Sequence, residues 1–321
     1  MAQQVAFVFP GQGSQSLGMG RELAQAFRAA RDVFDEVDAA LSQHLSKIMW
    51  GDDEAGLRLT ENAQPALMAV SLAVIRVLET QCGFRWGTHA QVVAGHSLGE
   101  YSALTAAGAF SLADAARLLR RRGIAMQKAV PVGVGAMAIP LGAEIDVAQA
   151  IASEASTANE LCEIANDNAP GQVVLSGHKA AIDRVSDIAK AKGVKRVLPV
   201  AVSAPFHCAL MAPAAREMAE ALNEAQLLPP RVPVIANVSL EWLSDPAAIR
   251  TALVAQVTGR VRWRETVLSL RPKGYSTLVE VGAGKVLTGQ AKRTDAELML
   301  VNLETPKDIE AFQAVLTQTR G

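Results

Sequence analysis

Short apolar runs alternate with helical stretches along almost the whole chain, and this alternation constrains the fold more than any other feature. The pattern is typical of parallel strands joined by crossover helices. We predict strands at 5–9, 91–94, 233–237, 276–281 and 298–302. We predict helices at 20–41, 66–80, 99–107, 112–128, 213–225 and 247–257. These elements would form one α/β body around a parallel central sheet.

The middle of the chain follows a different order. Its predicted elements are strand, helix, strand, strand, helix and strand, at 135–140, 144–153, 161–166, 172–176, 180–191 and 194–200. This order is the signature of a ferredoxin-like βαββαβ unit. Pro- and Gly-containing segments at 131–133 and 202–205 are predicted hinges. We therefore predict a large domain, 1–131 and 201–321, interrupted by an inserted small domain, 132–200, with a ligand cleft between them.

Charge and composition exclude several classes of protein. The chain has 31 Lys and Arg against 32 Asp and Glu, a formal net charge of -1, and 4% aromatic residues. Nucleic-acid binding requires a clustered excess of Lys and Arg, so we do not expect it. Hydrophobic residues make up 50% of the chain, which is too many for a disordered protein and enough for a large core.

The sequence shows no signal for secretion, membrane insertion or metal binding. No basic stretch precedes the first apolar run, and the longest apolar stretch, 66–78, is short for a bilayer and contains Arg76. The three cysteines lack Cys-x-x-Cys spacing, which argues against a disulfide framework and against a zinc site. We therefore expect a cytoplasmic protein with no membrane contact and no metal site.

The segment GHSLG at 95–99 matches the Gly-x-Ser-x-Gly motif, with an apolar strand before it and an Ala-rich helix after it. The glycines permit a sharp turn that lifts the Ser97 hydroxyl out of the sheet, and the Leu98 N–H would be one oxyanion donor. Any glycine-rich strand–helix junction can also contain a serine for structural reasons. The flanking elements favour a nucleophile, carried by an α/β-hydrolase-like large domain.

Five histidines could serve as the base for Ser97. His96 is adjacent to the serine, and neighbouring side chains on such a turn diverge. Three others lie in ordinary surface settings: His44, His89 and His178. His207 follows the predicted small domain on a loop stiffened by Pro205, where the chain re-enters the cleft. A lone histidine is more often structural than catalytic, yet with a nucleophile present we predict His207 as the general base, with an ordinary imidazole pKa of ~6.5.

Three consecutive arginines lie in the predicted helix 112–128. At helical spacing Arg121 faces charged neighbours, whereas Arg122 lies on an apolar stripe. A buried cation needs an anionic partner. That partner could be a carboxylate of the core or the carboxylate of a substrate, held bidentately. The proposed serine in the same domain favours the substrate.

A glycine-rich segment, FPGQGSQS at 9–16, follows the first strand. The dinucleotide-binding fingerprint would require glycine in place of Ser16, and a Walker loop ending at Lys285 would require glycine in place of Val279. Neither nucleotide motif is therefore present. We predict instead that this loop supplies a second oxyanion donor beside Ser97.

Taken together, these segments resemble the acyltransferase family of malonyl-CoA:acyl carrier protein transacylases of fatty-acid synthesis. The resemblance covers nearly the whole chain and rests on five ordered motifs. They are FPGQGSQ at 9–15, GHSLGEYS at 95–102, NAPGQ at 168–172, SAPFH at 203–207 and VGAGKVL at 281–287.

The resemblance implies a role for individual residues. Ser97 would be the acylated nucleophile, His207 its base and Arg122 the clamp on the malonyl carboxylate. The backbone N–H groups of Gln12 and Leu98 would hold the oxyanion. The family has no triad aspartate, and a backbone carbonyl at Gln256 would orient the histidine instead. Further substrate-binding residues would be Met126, Phe206 and Asn168, with Phe206 associated with malonyl over branched acyl groups.

The implied reaction is a ping-pong transfer of malonyl from coenzyme A to the phosphopantetheine thiol of acyl carrier protein, with no cofactor. We expect a monomer with malonyl-CoA and acyl carrier protein as partners. Three alternatives stay open: a serine esterase or thioesterase, an acyltransferase of a polyketide or malonate decarboxylase system, and a non-catalytic carrier-binding subunit. A basic run of Lys190, Lys192, Lys195 and Arg196 could meet an acidic carrier or could simply be solvated.

Overall fold

The computed structural model describes residues 4–202 and 204–318. Within this part the strands are β1 Gln4–Phe9, β2 Val92–Gly95, β3 Gly135–Pro140, β4 Cys162–Ala169, β5 Gln172–His178, β6 Val197–Pro199, β7 Val234–Ile235, β8 Trp242–Leu243, β9 Tyr275–Val281 and β10 Met299–Leu303. The first seven helices are α1 Arg21–Ala26, α2 Arg28–Leu41, α3 Leu45–Trp50, α4 Glu54–Arg58, α5 Thr60–Gln81, α6 Leu98–Ala106 and α7 Leu112–Lys128. The others are α8 Ile145–Ala155, α9 Lys179–Ala191, α10 Ala212–Glu224, α11 Pro246–Thr258, α12 Trp263–Leu268, α13 Val286–Thr294 and α14 Pro306–Gln318.

The central sheet has the order β10-β9-β1-β2-β7-β8. Its first five strands pair in parallel, and β8 pairs antiparallel with β7 at the edge. All five strands predicted for this body are therefore present, in a parallel sheet as expected. The two-residue edge strand β8 was not predicted, because two residues are too few to show a periodicity.

Strand β1 lies at the centre of this sheet and contacts apolar layers on both of its faces. Phe7 and Phe9 belong to one hydrophobic cluster, together with helices α2, α5 and α7. Ala6 and Val8 belong to another cluster, which contains Trp263 of α12. Successive side chains of a strand point to opposite faces, so a strand covered on both faces is apolar throughout.

Two helix predictions need correction. The predicted helix 20–41 is two helices, because Phe27 adopts an extended backbone with φ -128° and ψ 121° between α1 and α2. The apolar stretch 66–78 belongs to a longer helix, α5, which has 22 residues and is by length and composition able to cross a membrane. The argument from shortness was therefore wrong. However, 83% of its apolar window is buried inside the protein, as in the core helix of a globular fold.

Residues 135–199 form a second sheet with the order β4-β5-β3-β6, in which all neighbours are antiparallel. Helices α8 and α9 pack on this sheet and share with it a hydrophobic cluster of its own. The elements follow the predicted order of strands and helices. Of the predicted hinge at 202–205, Ser203 lies outside the described residues.

Strand β4 connects this second sheet to the large body through hydrogen bonds and an ion pair. The Asp167 N–H donates to the Val261 carbonyl at 2.9 Å, and the Val261 N–H donates to the Ala165 carbonyl at 2.8 Å. Arg264 of α12 adds an ion pair with the Asp167 carboxylate at 2.9 Å. The residue that follows, Asn168, contacts His96, the first residue after β2.

Candidate active site

Ser97 lies on a strained turn between β2 and α6, with φ 54° and ψ -109°. A non-glycine residue in such a conformation costs about 1–3 kcal/mol and persists only where the surroundings enforce it. Here the turn is enforced by close packing: a Cβ on Gly95 would lie 1.9 Å from the Gly99 backbone, and one on Gly99 would lie 2.2 Å from the Phe9 carbonyl. The predicted strand–serine–helix turn is therefore present, and both glycines are required for it.

His207 faces this serine. Its Nε2 lies 2.8 Å from Ser97 Oγ, and its Nδ1 lies 2.9 Å from the backbone carbonyl of Gln256. Gln256 lies in the last turn of α11, where backbone carbonyls have no partner within the helix. The carbonyl accepts the Nδ1 proton, which leaves the lone pair of Nε2 directed at the serine hydroxyl. No acidic side chain takes part in this orientation among the hydrogen bonds of the described His207.

The expectation of an ordinary imidazole pKa is wrong. Burial, and after it the positive charge of Arg122, lower the pKa of His207 to about 3. His207 is 5% exposed. The histidine is thus neutral, and able to accept a proton, over the whole physiological pH range.

Arg122 is fully buried, as its place on the apolar stripe of α7 predicts. Its Nη2 donates to Ser97 Oγ at 3.0 Å and to Gln256 Oε1 at 2.9 Å, and its Nη1 donates to Gln64 Oε1 at 2.9 Å. None of these bonds reaches a carboxylate, so Arg122 is not the cation of a buried ion pair with the described residues. Its neighbour Arg121 lies on the solvent-facing side of α7, where it pairs with Glu217 and Glu224.

A cavity of about 470 Å³ opens above the serine. It is lined by eight of the nine predicted site residues: Gln12, Ser97, Leu98, Arg122, Met126, Asn168, Phe206 and His207. The ninth, Gln256, is fully buried behind Ser97 and His207. Residues scattered over almost 200 positions of sequence thus meet at one cleft, with the second sheet forming one wall through Met137, Ile139 and Val174.

The two predicted oxyanion donors flank Ser97. Leu98 is the first residue of α6, and the first N–H groups of a helix have no acceptor within it. The loop of Gln12 packs against the serine turn so closely that a Cβ on Gly11 would lie 2.6 Å from the His96 carbonyl. Both N–H groups are therefore carried by segments that border the serine.

Several polar residues of this site were not predicted. His96 Nε2 lies 2.8 Å from Asn168 Oδ1, which ties the serine turn to β4. Asn237 accepts from the Ser97 N–H at 2.8 Å. Glu100 and Gln64 are buried beside Gln256 and Arg122. The sequence does carry one signal for such residues: Gln64 and Glu100 interrupt apolar helices, and His96 follows directly on a strand.

The other histidines lie away from the serine. His44 is exposed, whereas His89 and His178 are half-buried and accept backbone N–H bonds, a more structural setting than predicted. In the predicted basic run, Lys192 pairs with Glu154 at 2.8 Å.

Comparison with known proteins identifies the relatives of this chain. A model of the acyl transferase domain family matches residues 6–311. The malonyl CoA-acyl carrier protein transacylase of Salmonella typhimurium is 44% identical over 315 residues, which are 98% of this chain and 99% of that protein. The crystal structure of an acyl-carrier-protein S-malonyltransferase from Bartonella henselae is 52% identical, with a TM-score of 0.95 over 98% of this chain and 100% of that one.

A third similar structure is a malonyl-transacylase in complex with its type II PKS acyl-carrier protein. It is 40% identical, with a TM-score of 0.93 over 98% of this chain and 100% of that one. The match to the family model and the identities all extend over nearly the full length of the chain. The chain therefore belongs to the acyl transferase domain family.

Proposed function

We propose that the protein transfers a malonyl group from coenzyme A to the phosphopantetheine thiol of acyl carrier protein, through an ester on Ser97, and so supplies fatty-acid synthesis. One observation carries this proposal: His207 Nε2 and Arg122 Nη2 both lie within 3.0 Å of Ser97 Oγ. A general base meets, at one nucleophile, a buried cation that makes no direct hydrogen bond to a carboxylate of the described residues.

The position of Arg122 selects a short acyl group with a terminal carboxylate. In a malonyl thioester one methylene separates the carbonyl carbon from the carboxylate. A guanidinium 3.0 Å from the attacking oxygen can bind only a carboxylate that lies close to the carbon under attack. An acetyl group has no carboxylate and would gain nothing from this cation.

The reaction proceeds in two half-reactions. Nε2 of His207 accepts the Ser97 proton while Oγ attacks the thioester carbonyl carbon, and the N–H groups of Leu98 and Gln12 bind the oxyanion. The C–S bond then breaks, and the imidazolium returns the proton to the coenzyme A sulfur. In the second half the carrier thiol loses its proton to His207 and attacks the malonyl ester, and Ser97 regains its proton as the leaving group.

Other residues of the cavity shape its interior. Phe206 and Met126 are buried in its wall, where we assign them to packing against the acyl chain, and Phe206 to the exclusion of branched groups. Asn168 contributes its amide from the opposite wall, where it already binds His96. The reactive group arrives on coenzyme A, so this mechanism requires no resident cofactor.

We further propose that residues 132–200 are an inserted ferredoxin-like domain and that 1–131 and 201–321 form one α/β-hydrolase-like domain. The order β4-β5-β3-β6 with two helices, and a separate hydrophobic cluster, support this division. The three cysteines are free and buried, which suits a reducing, cytoplasmic setting. A monomer is the assembly we propose.

Intact mass after brief exposure to malonyl-CoA tests the function. We expect one malonyl adduct on the protein and none on Ser97→Ala. Ser102→Ala is a matched control, whose buried hydroxyl has no hydrogen-bond partner among the described residues, and it should also carry one adduct. Addition of acyl carrier protein should then discharge the adduct to the carrier. Rapid release of free malonate without carrier would instead indicate a hydrolase, and absence of any adduct would indicate a non-catalytic subunit.

A further inference from the structure

A buried carboxylate lies behind the nucleophile and has no part in the mechanism described so far. Glu100 is in the first turn of α6, three residues after Ser97, and is 1% exposed. Its Oε2 accepts from Gln256 Nε2 at 2.7 Å and from the Asn237 N–H at 3.2 Å. Burial raises the pKa of Glu100 to about 7, while the bonds from Gln256 and Asn237 and the charge of Arg122 favour the ionised carboxylate. Both of its partners also contact the serine turn.

The side-chain amide of Gln256 lies between this carboxylate and Arg122. Its Nε2 donates to Glu100 and, at 3.0 Å, to the Ser97 carbonyl, while its Oε1 accepts from Arg122 Nη2 at 2.9 Å. A carboxylate and a carbonyl only accept, and a guanidinium only donates. Only one orientation of the amide satisfies all three neighbours, and it is the orientation present.

We infer that Glu100 is a positioning residue for substrate recognition: it fixes the amide of Gln256, which in turn holds the Arg122 guanidinium at the place where the substrate carboxylate binds. This inference deepens the proposed function and rests on it. Without Glu100, one hydrogen of the buried Nε2 would keep only the long contact of 3.4 Å with Asn237 Oδ1, which already accepts the Ser97 N–H. The amide would then be free to rotate and to turn a donor toward Arg122.

The test compares malonyl-CoA with acetyl-CoA, since only malonyl uses Arg122 as a carboxylate ligand. We expect Glu100→Met, which keeps the length of the side chain but removes the acceptor, to lower the malonyl to acetyl ratio of Ser97 acylation rates by about 10- to 100-fold, the range for losing a hydrogen bond to a charged group. Glu100→Gln keeps one oxygen, which can accept from both Gln256 and Asn237. It should stay within about threefold of the parent ratio.

Ser102→Ala is the matched control on the same helix, because the Ser102 hydroxyl is buried and makes no hydrogen bond among the described residues. We expect its malonyl to acetyl ratio to equal that of the parent. Equal losses of malonyl and acetyl acylation in Glu100→Met would show a merely structural role and overturn the inference. A parent-like ratio in Glu100→Met would overturn it as well.

A crystal structure of Glu100→Met gives a readout that does not depend on activity. We expect the Gln256 amide to rotate and the contact between Arg122 Nη2 and Ser97 Oγ to lengthen beyond hydrogen-bond distance. An unchanged Gln256 and Arg122 would overturn the inference. If the unaltered protein formed no malonyl ester, the proposed function would fail, whereas the structure of the variant would still decide what Glu100 does.

Discussion

Ser97 Oγ has two nitrogen neighbours with different tasks, and the difference can be measured one residue at a time. In the proposed mechanism His207 accepts the serine proton, so it serves every acyl group. Arg122 donates to the same oxygen but carries a charge that only an anionic acyl group can use. Loss of the base should therefore affect all substrates, and loss of the cation should affect selectivity.

Arg122→Met should lower kcat/KM for malonyl-CoA by about 30- to 5,000-fold, the range for removing one partner of a buried charged pair. The kcat/KM for acetyl-CoA should fall far less, because acetyl has no carboxylate for the guanidinium to bind. Arg121→Met is the matched control on the same helix, since Arg121 pairs with Glu217 at the surface. Initial rates with both thioesters check this, and a variant that still preferred malonyl as strongly would refute the clamp.

The low pKa of His207 predicts an unusual pH profile. Burial and the charge of Arg122 disfavour the imidazolium in the folded protein, so the base form should persist as pH falls from 8 to well below 6.5. Single-turnover acylation by acetyl-CoA in Glu100→Gln reports on the base, because acetyl does not use Arg122 as a carboxylate ligand and the variant removes Glu100, whose pKa burial raises to about 7. Its rate should stay nearly constant between pH 8 and 5. A loss of activity centred near pH 6.5 would contradict the lowered pKa.

The residues that the sequence identified and those that it missed differ in where their partners lie. Ser97 and Arg122 were recognised from local patterns, a glycine-flanked turn and an apolar stripe of one helix. Glu100 and Asn237 act through partners more than 130 positions away, Gln256 and the Ser97 N–H. No local periodicity contains such a pairing, and only the fold brings these residues together.

At the scale of elements, the site depends on how closely α6 approaches the sheet. Predicted and observed helices agree best where an amphipathic pattern is long, as in α7 and α10. Short elements such as α3, α4 and β8 were missed, because helices of five or six residues and a strand of two are too short for a period to appear. The turn before α6 was predicted because only glycine leaves room for its close backbone contacts at 95 and 99.

Gly99→Ala should therefore disrupt the turn. The added Cβ would lie 2.2 Å from the Phe9 carbonyl, so α6 would have to move away from β1. We expect the free energy of unfolding to fall by about 1–3 kcal/mol, as for other overpacked sites, and Ser97 acylation to fall with it. Urea unfolding and intact mass measure both effects.

Gly289→Ala provides the matched control within a helix. Gly289 is exposed in α13, and a Cβ there would meet no atom within 4 Å. Alanine should stabilise this helix by up to about 1 kcal/mol, because it loses less backbone entropy on folding. Equal changes in the free energy of unfolding and in Ser97 acylation for the two variants would mean that close packing does not shape the serine turn.

On the scale of the whole molecule, the cavity requires that the second sheet stay fixed against the large body. One wall comes from the second sheet, and the other comes from the serine turn and α7. The sequence predicted the order of elements in each unit, since that order is local. It could not predict that β4 bonds to Val261 or that Arg264 pairs with Asp167, because nothing in either segment indicates the other.

The ion pair of Arg264 with Asp167 should measurably stabilise the contact between the second sheet and the large body. The Asp167 side chain is 1% exposed and Arg264 is 23% exposed. Arg264→Met would leave a buried carboxylate without its cation, so the free energy of unfolding should fall by about 2–3 kcal/mol, less than for a fully buried pair. Lys179→Met, which removes an exposed pair with Asp183, should cost less than about 1 kcal/mol.

Because Asp167 precedes Asn168, Arg264→Met should also lower the rate of Ser97 acylation. The bond from Asn168 to His96 joins β4 to the serine turn, so a displaced β4 should slow Ser97 acylation by malonyl and acetyl alike. The double variant Asp167→Asn, Arg264→Met removes the uncompensated charge and should recover much of the stability. Urea unfolding of the four proteins gives the coupling energy, and strictly additive losses would show that the pair does not join the two units.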